Sequence, residues 1–396
     1  MHAGSPLSGL QGHRARLCSV IPLRHHCISS SHHQPFKLTY AKPQARNARD
    51  QRPAGRFVVK AEASAGSSIA APQANTSTSK DWETFQKNAS GEWEGITATF
   101  NAQGEALELP ERFVPSAYRE WEVHLFDWQS LCSMQVLGEE GLQYSLKRMM
   151  PTVGCEADAV AFTEEAQRGL SAAEVSRSGS TDWPAGLPWT ADGSYALVPH
   201  EITAEESNVR LETCLVRPRT GPLDAQQRTR LVHHLRRQAE TGEWQIDSVE
   251  VHHERFLAPY NGGAELAGCG GGMSAFAQKR PDSEKLAEAA RRAGDGCGAV
   301  QLVREQSGGF ARKSGNFSIE RLLSAASEEG LVLASSVVTS VNSPDSNSIS
   351  NGAPGLTLTI AVLHERREES IESVSAAVVS YLDGSLQEVS FASQSL

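Results

Sequence analysis

Short runs of β-branched and aromatic residues, each stopped by Gly, Pro, Asn or Asp, recur along most of the chain at the spacing of strands rather than helices. Glu92 to Phe100 predicts a strand turned by Asn101 to Gly104. Tyr118 to Asp127, Leu131 to Leu137, Leu142 to Met149 and Ala157 to Phe162 predict further strands, with a turn at Gly138 to Gly141. Trp121, Val123, Leu125 and Asp127 alternate with Glu122, His124, Phe126 and Trp128; the second set is not purely polar, so both faces are expected to be partly covered. Glu164 to Pro188 interrupts the pattern, and Ser194 to Pro199, Val209 to Val216, Arg228 to Arg237 and Trp244 to Phe256 resume it. Roughly nine strands in succession, preceded by a short helix at Trp82 to Asn88, predict a meander that closes as an up-and-down barrel, because closure removes exposed edges.

The second half repeats the theme more faintly. Pro281 to Gly294 predicts a short helix with Ser283 able to cap its start. Strand-like runs follow at Ala299 to Arg304, Phe317 to Leu323, Leu331 to Val341, Leu356 to His364, Val374 to Tyr381 and Leu386 to Phe391, with Asn342 to Gly355 reading as a loop. Each half ends in a hairpin: one runs from Arg228 through Thr241-Gly242-Glu243 to Glu254, the other from Ala376 through Asp383-Gly384 to Phe391. That likeness predicts a degenerate internal duplication, divided as 81–258 and 259–396. All seven Trp lie between Trp82 and Trp244, so the first half holds more of the large core residues.

Composition changes the picture most at the N-terminus. Met1 to Arg49 contains no Asp or Glu, while Arg14, Arg16, Arg24, Lys37, Lys42, Arg46 and Arg49 stand among Ser, His and Pro. This pattern predicts a chloroplast transit peptide over 1–60, ending near Ala61, with a mitochondrial signal as the rival. An acidic, Ser/Thr-rich linker over 61–80 follows. Residues 1–60 hold ten of the 37 Lys and Arg and one of the 47 acids, so the remainder carries a formal charge of about −19. Such a surface repels phosphate backbones and anionic headgroups, which disfavours nucleic acid and membrane surfaces as partners. No stretch has the roughly 18 apolar residues of a transmembrane helix. Cys132, Cys155, Cys214, Cys269 and Cys297 remain, without a Cys-x-x-Cys pair, which predicts free thiols in a reducing compartment, the stroma.

Trp82-x-x-Phe85-x-x-Asn88-x-x-Gly91-x-Trp93-x-Gly95, followed by Phe100-x-x-x-Gly104, resembles the opening of an uncharacterised calycin family of cyanobacteria and chloroplasts whose members carry two lipocalin-like barrels in tandem. Asp192-Gly193-Ser194-Tyr195, Glu212 and Arg228-x-Arg230-x-Val232, ending in Glu254, extend the resemblance. It implies an all-β fold of two tandem calycin-like antiparallel barrels with few short helices. It also implies a structural signature of Gly91, Trp93, Arg228 and Arg230, in which Trp93 packs across the closed end beside one of the two arginines. The second half lacks a Trp at its opening and carries Gly268-Cys269-Gly270-Gly271-Gly272-Met273 instead, so the second barrel is expected to be degenerate.

Candidate chemistry is sparse. Gly268 to Gly272 matches neither a Walker loop nor a dinucleotide fingerprint and reads as a connector. Cys269 would be nucleophilic only with a neighbour that lowers its pKa. If Glu240 to Glu243 is the hairpin turn, His233 lies diagonal to His252 on one face, where two imidazoles could hold haem iron or a divalent metal with Glu250 or Glu254. A bulge between Ile246 and Val249 would scramble those faces, and no metal set is assigned. There is no Gly-x-Ser-x-Gly, no catalytic residue is singled out, and nothing compels an enzyme. An eight-stranded barrel has room for one small ligand. Trp121, Phe126, Trp128, Met134, Tyr144, Met149 and Tyr195 are the side chains available to line it, and they suit a flat hydrophobic guest such as a tetrapyrrole, carotenoid or lipid. The leading expectation is a stromal binding protein for that guest. A bilin-lyase-like enzyme or chaperone, and a non-catalytic assembly module with a protein partner, are the alternatives.

Overall fold

The computed structural model describes residues 76–137, 141–153, 162–169, 187–219, 221, 224–264, 277, 283–293, 296–305, 310–323, 331–333, 337–343, 355–366 and 370–396. Helix α1 (Thr76–Ala89) leads into β1 (Gly91–Asn101). A 3-10 turn (Glu111–Phe113) and α2 (Ser116–Glu120) occupy the long link to β2 (Asp127–Leu137). After these come β3 (Gly141–Met149), β4 (Phe162–Gly169), β5 (Tyr195–Leu197), β6 (Asn208–Val216), β7 (Gln227–Arg237) and β8 (Trp244–Ala258). The strands form one antiparallel sheet in the order β4-β3-β2-β1-β8-β7-β6-β5. Since the last strand pairs with the first, the sheet curls toward a barrel. The ladder ends at β4 and β5, neighbours in the strand order of the sequence, so among the described residues the expected ring is open at that seam.

The second sheet repeats this wiring. Helix α3 (Ser283–Ala293) leads into β9 (Cys297–Arg304), then β10 (Phe310–Phe317), β11 (Leu331–Leu333), β12 (Val337–Asn342), β13 (Leu356–Arg366), β14 (Ser370–Leu382) and β15 (Ser385–Ser395). Their order is β10-β9-β15-β14-β13-β12-β11, so again the last strand lies on the first and the ladder ends on two consecutive strands. The chain is all-β, with two tandem barrel-like antiparallel sheets; the second is open and degenerate, and the helices are few and short.

Three expected elements differ. Tyr118 to Asp127 is not a strand: Pro115 fixes the backbone at the start of α2, and Glu122, at φ 54, turns the chain out of it. Phe317 to Leu323 is not one strand either. β10 ends at Phe317, and the Ser318 hydroxyl accepts the Arg321 N–H at 3.2 Å, starting a helical turn over 319–323. Both runs are short and mix apolar with charged residues, a length at which period alone does not separate strand from helix. Residues 162–169, most of them in the stretch expected to interrupt the strands, form β4. Most of Ala157 to Phe162 lies outside the described residues, as does Asn342 to Gly355 beyond its ends.

The two sheets belong to one unit, Ala71–Leu396, and pack on each other through their outer faces. Phe100, Leu211, Leu231, Leu235, Val249 and Val251 meet Leu358, Ile360, Val362, Ala377 and Val379 in one core. The other face of the first sheet, with Trp93, Met134, Leu142 and Tyr195, takes Phe85 and Ala89 of α1. The corresponding face of the second, with Ala361, Leu363, Val374 and Ala376, takes Leu286, Ala289, Ala290 and Ala293 of α3. Each helix therefore sits on the face turned away from the other sheet. The bonds Ile202 N to Gly384 O, 2.7 Å, and Leu386 N to His200 O, 2.8 Å, tie the sheets by backbone as well.

His233 sits in this shared core with its Nε2 3.0 Å from the Thr339 hydroxyl. Burial, aided by the neighbouring His234, pushes its pKa from 6.5 to about 3, so it is neutral when folded. Its contribution is complete above pH 6.5 and is lost as pH falls, because only the unfolded chain takes up the proton in that window. Urea unfolding at pH 7.5 and 5.5 should show lower stability at the acid value, with a smaller difference in His233→Leu. Leu231→Ala, which opens a cavity between the sheets, should cost about 2–5 kcal/mol in the same measurement.

Candidate functional site

On the inner face of the first sheet, strand alternation stacks charged residues where an oily lining was expected. Arg228 and Arg230 on β7, Glu254 on β8, Glu212 on β6, Tyr144 on β3 and Tyr195 on β5 all point inward, and both arginines are no more than 2% exposed. Arg228 Nε donates to Glu254 at 2.6 Å, and Arg230 Nη2 donates to the other oxygen of that carboxylate at 3.0 Å. Tyr144 and Tyr195 donate to Glu212 at 2.7 and 3.1 Å, and Arg210 donates to it at 3.0 Å. Burial opposes ionisation of Glu254, but the guanidiniums of Arg228 and Arg230 outweigh it and hold the pKa at about 2. Burial, then the charge of Glu212, raises both tyrosines well above the usual phenol value. The thiols of Cys132 and Cys214 are pushed to about 12, chiefly by burial, so both are protonated and poor nucleophiles.

Of the two arginines beside Trp93, Arg228 stacks on the indole at 3.8 Å, whereas Arg230 lies 4.6 Å from the ring centre of Tyr144. Phe256 meets Trp93 edge-on at 5.5 Å. At Gly91 (φ +151) a Cβ would sit 2.5 Å from that phenyl ring, and at Gly95 it would sit 2.0 Å from the His253 carbonyl oxygen, so the Trp93 strand needs both glycines. Met134 also belongs to the interior, with its sulfur 3.2 Å from Arg228 Nη1. Met134, Tyr144 and Tyr195 are thus brought together, already committed to protein partners.

The histidine pairs do not converge. His233 faces Val249 and Arg230 faces His252, with the bulge falling between Ile246 and Ser248, so His233 and His252 lie on opposite faces of the sheet. His252 turns inward, 2.8 Å from the Thr97 hydroxyl. Glu250 accepts from Arg148 at 2.8 Å, and although burial opposes it, contacts with His234, His252 and Arg148 hold its carboxyl well below the usual range. Among the described residues no group of three His, Cys, Asp or Glu could hold a metal. Gly268 to Gly272, with Cys269, lies outside the described residues, as does Cys155.

Phe126 and Trp128 line a cleft of about 750 Å³ where the two sheets part. Its floor is the outer face of three strands: Ile96 and Glu94 on β1, His253 and Arg255 on β8, Thr229 and Gln227 on β7. The link before β2 covers it with Tyr118, Val123, Leu125 and Phe126, and Met149 to Thr152 close one side. Phe113 stacks edge-on against Trp128 at 5.2 Å, and the Tyr118 hydroxyl donates to the Thr152 carbonyl at 2.9 Å, which ties the link to β2 and to the segment after β3. Arg217 after β6 and His364 at the end of β13 form the remaining wall. Trp121 is 60% exposed, edge-on to Tyr118, and is not among the residues that line the cleft. The seven residues expected to share a lining therefore divide three ways: Phe126, Trp128 and Met149 at the cleft, Met134, Tyr144 and Tyr195 in the interior, and Trp121 exposed. The cleft residues Arg217 and His364 have no local signal in the sequence, and His253 stands out there only as a member of the His252-His253 pair, since two sheets far apart in the chain bring the three together. Chemically, the cleft offers an aromatic and aliphatic surface with imidazole and guanidinium groups at one wall.

Glu254→Gln leaves two buried guanidiniums short of a counter-charge and should cost about 3–5 kcal/mol in urea unfolding. Glu94→Gln, which breaks the more exposed pair with Arg255, should cost about 0–1 kcal/mol. The Glu254 contribution is present above pH 4.5 and lost as pH falls through about 2, so the difference between wild type and Glu254→Gln should shrink across that acid range.

No protein-family model and no curated protein matches the chain. Among solved structures, the chain is similar to a conserved hypothetical protein from Mycobacterium tuberculosis, described as essential for bacterial survival during infection and as having a double hotdog fold. The identity is 11% over 47% of this chain and 68% of that one, with a TM-score of 0.11, too low to support any conclusion about fold or function.

Proposed function

We propose that this protein binds a hydrophobic small molecule in the cleft between the link before β2 and the outer face of the first sheet. The carrying observation is the cleft itself: about 750 Å³, walled by Ile96, Leu125, Phe126 and Trp128. Ligand sites commonly measure about 300–1,000 Å³, are mostly apolar and lie where packed layers meet. The filled interior supports this placement over the lumen. Inserting an apolar guest among Arg228, Arg230, Glu212 and Glu254 would break charge-assisted bonds that nothing in such a guest could replace.

A tetrapyrrole, a carotenoid or a lipid suits the aromatic walls, and the calycin-like opening from Trp82 to Gly95, with two tandem barrel-like sheets, favours a carrier. The acid-free segment from Met1 to Arg49 supports a chloroplast address, with the mature chain starting near Ala61 and working in the stroma. The bilin-lyase-like alternative takes its nucleophile from the cysteine of an acceptor protein and would be marked by turnover of a bilin with such an acceptor. An assembly module with a protein partner draws on the exposed Trp121.

The test is the absorption spectrum of the protein purified from plastids, followed by titration of the ligand-free protein with protoporphyrin, a carotenoid and a long-chain fatty acid, read by tryptophan fluorescence. Phe126→Asp should weaken binding by about tenfold or more, roughly 1.4 kcal/mol, and Met134→Leu in the interior should have little effect. The opposite ranking would place the guest inside the curled sheet, and no binding by any ligand would overturn the proposal. Precursor incubated with isolated chloroplasts should be taken up and cleaved near Ala61, whereas uptake by mitochondria alone would overturn the address.

A further inference from the structure

We propose that the guest carries a carboxylate, held at the wall of the cleft formed by His253, His364 and Arg217. This rests on the cleft being the binding site and adds which chemical class it selects. The three residues come from different places: His253 from the outer face of β8, Arg217 from just beyond β6, and His364 from the end of β13 in the second sheet. They line the same cleft as Phe126 and Trp128, so an apolar body and an acidic head would be met together.

Hydrogen bonding fixes how His364 can act. Its Nε2 lies 3.0 Å from the Ser375 hydroxyl, and that hydroxyl donates its single proton to the Val216 carbonyl at 2.9 Å. Nε2 must therefore carry the imidazole proton, and Nδ1 becomes a donor only when the ring is charged. Burial, then the charges of Arg217 and His253, push the His364 pKa down to about 3. An anion placed against the ring would reverse that balance.

Of the nearby carboxylates, Glu372 already pairs with Arg217 at this wall at 3.2 Å, so the guest's head would share that guanidinium. Glu254 faces the interior with Arg228 and Arg230, Glu94 pairs with Arg255, Glu365 lies 3.9 Å from Lys285, and Asp127 lines the cleft at the start of β2. Arg217 is itself held by Gln227 at 2.9 Å and by the Glu365 carbonyl at 3.3 Å, which keeps its guanidinium at the wall. A carboxylate entering here would draw a proton onto His364 or His253, whose pKa is held at about 4 chiefly by burial, so binding strengthens as pH falls from neutral toward the pKa of the ligand's own acid group.

A fatty acid and the propionates of a tetrapyrrole present the same group. The experiment therefore uses two matched pairs: hexadecanoate against hexadecanol, and biliverdin against its dimethyl ester. Affinities are read by tryptophan fluorescence at pH 7.5 and 5.5 on wild type and His364→Gln, whose side-chain amide can still donate to Ser375. At least one acid should bind about tenfold more tightly than its neutral partner, with the preference growing at pH 5.5. His364→Gln should reduce the preference and flatten its pH dependence; the pair showing the larger preference names the source of the carboxylate. Equal binding of acid and neutral forms to wild type would overturn the carboxylate assignment and leave the apolar cleft standing, and failure of all four to bind would overturn both. Should His364→Gln not fold, the wild-type pairs and their pH dependence decide the matter alone.

Discussion

Two arginines inside a sheet demand counter-charges, and much of the first half of the molecule is arranged to provide them. Arg228 and Arg230 share the carboxylate of Glu254, while Glu212 gathers Arg210, Tyr144 and Tyr195. Ions removed from water cost several kcal/mol each unless their attraction and remaining hydrogen bonds are satisfied. That condition fixes the register of β6, β7 and β8, because a slip of one residue would turn every one of these groups to the opposite face. Trp93 closes the arrangement by stacking on Arg228, and the missing side chains at Gly91 and Gly95 let Phe256 and the backbone of β8 come close enough for it.

With the inner face committed, the outer face of the same strands does the work of assembly. It buries its aliphatic residues against the second sheet, which presents the face away from its own helix. The same wiring in both sheets, a helix followed by strands with the last laid on the first, is what an internal duplication would produce, with the two copies set back to back. The cleft follows from that arrangement. Where the outer face of β1, β8 and β7 runs past the end of β13, the sheets part, and the link before β2 folds over the gap.

Energetics favours the proposed binding beside the sheet over binding within it, because an apolar guest in the interior would separate bonded charges. The cleft also mixes an apolar surface with basic groups drawn from both sheets, a combination that neither sheet supplies alone.

The strands were legible in the sequence because half-buried strands alternate, and a period of two survives in a single chain: β1, β3, β6, β7, β8, β13, β14 and β15 lie where alternation and turn residues placed them. The importance of Gly91, Trp93, Arg228 and Arg230 was legible as a pattern, and the bulge near Ile246 as a break in it. The helix at Tyr118 and the turn after Ser318 were not, since short runs of mixed apolar and charged residues fit either period. The site was legible only in part. Phe126 and Trp128 stood out as aromatic, but which side they would face, and which of the two arginines would reach Trp93, depends on depth along the sheet. By itself the sequence determined the class of fold, the two-part plan and the acid-poor N-terminal segment, all of which follow from local pattern and composition. Tertiary structure alone decided that the interior is filled with paired charges and that His253, His364 and Arg217 share a wall, because those relations join residues that no local period connects.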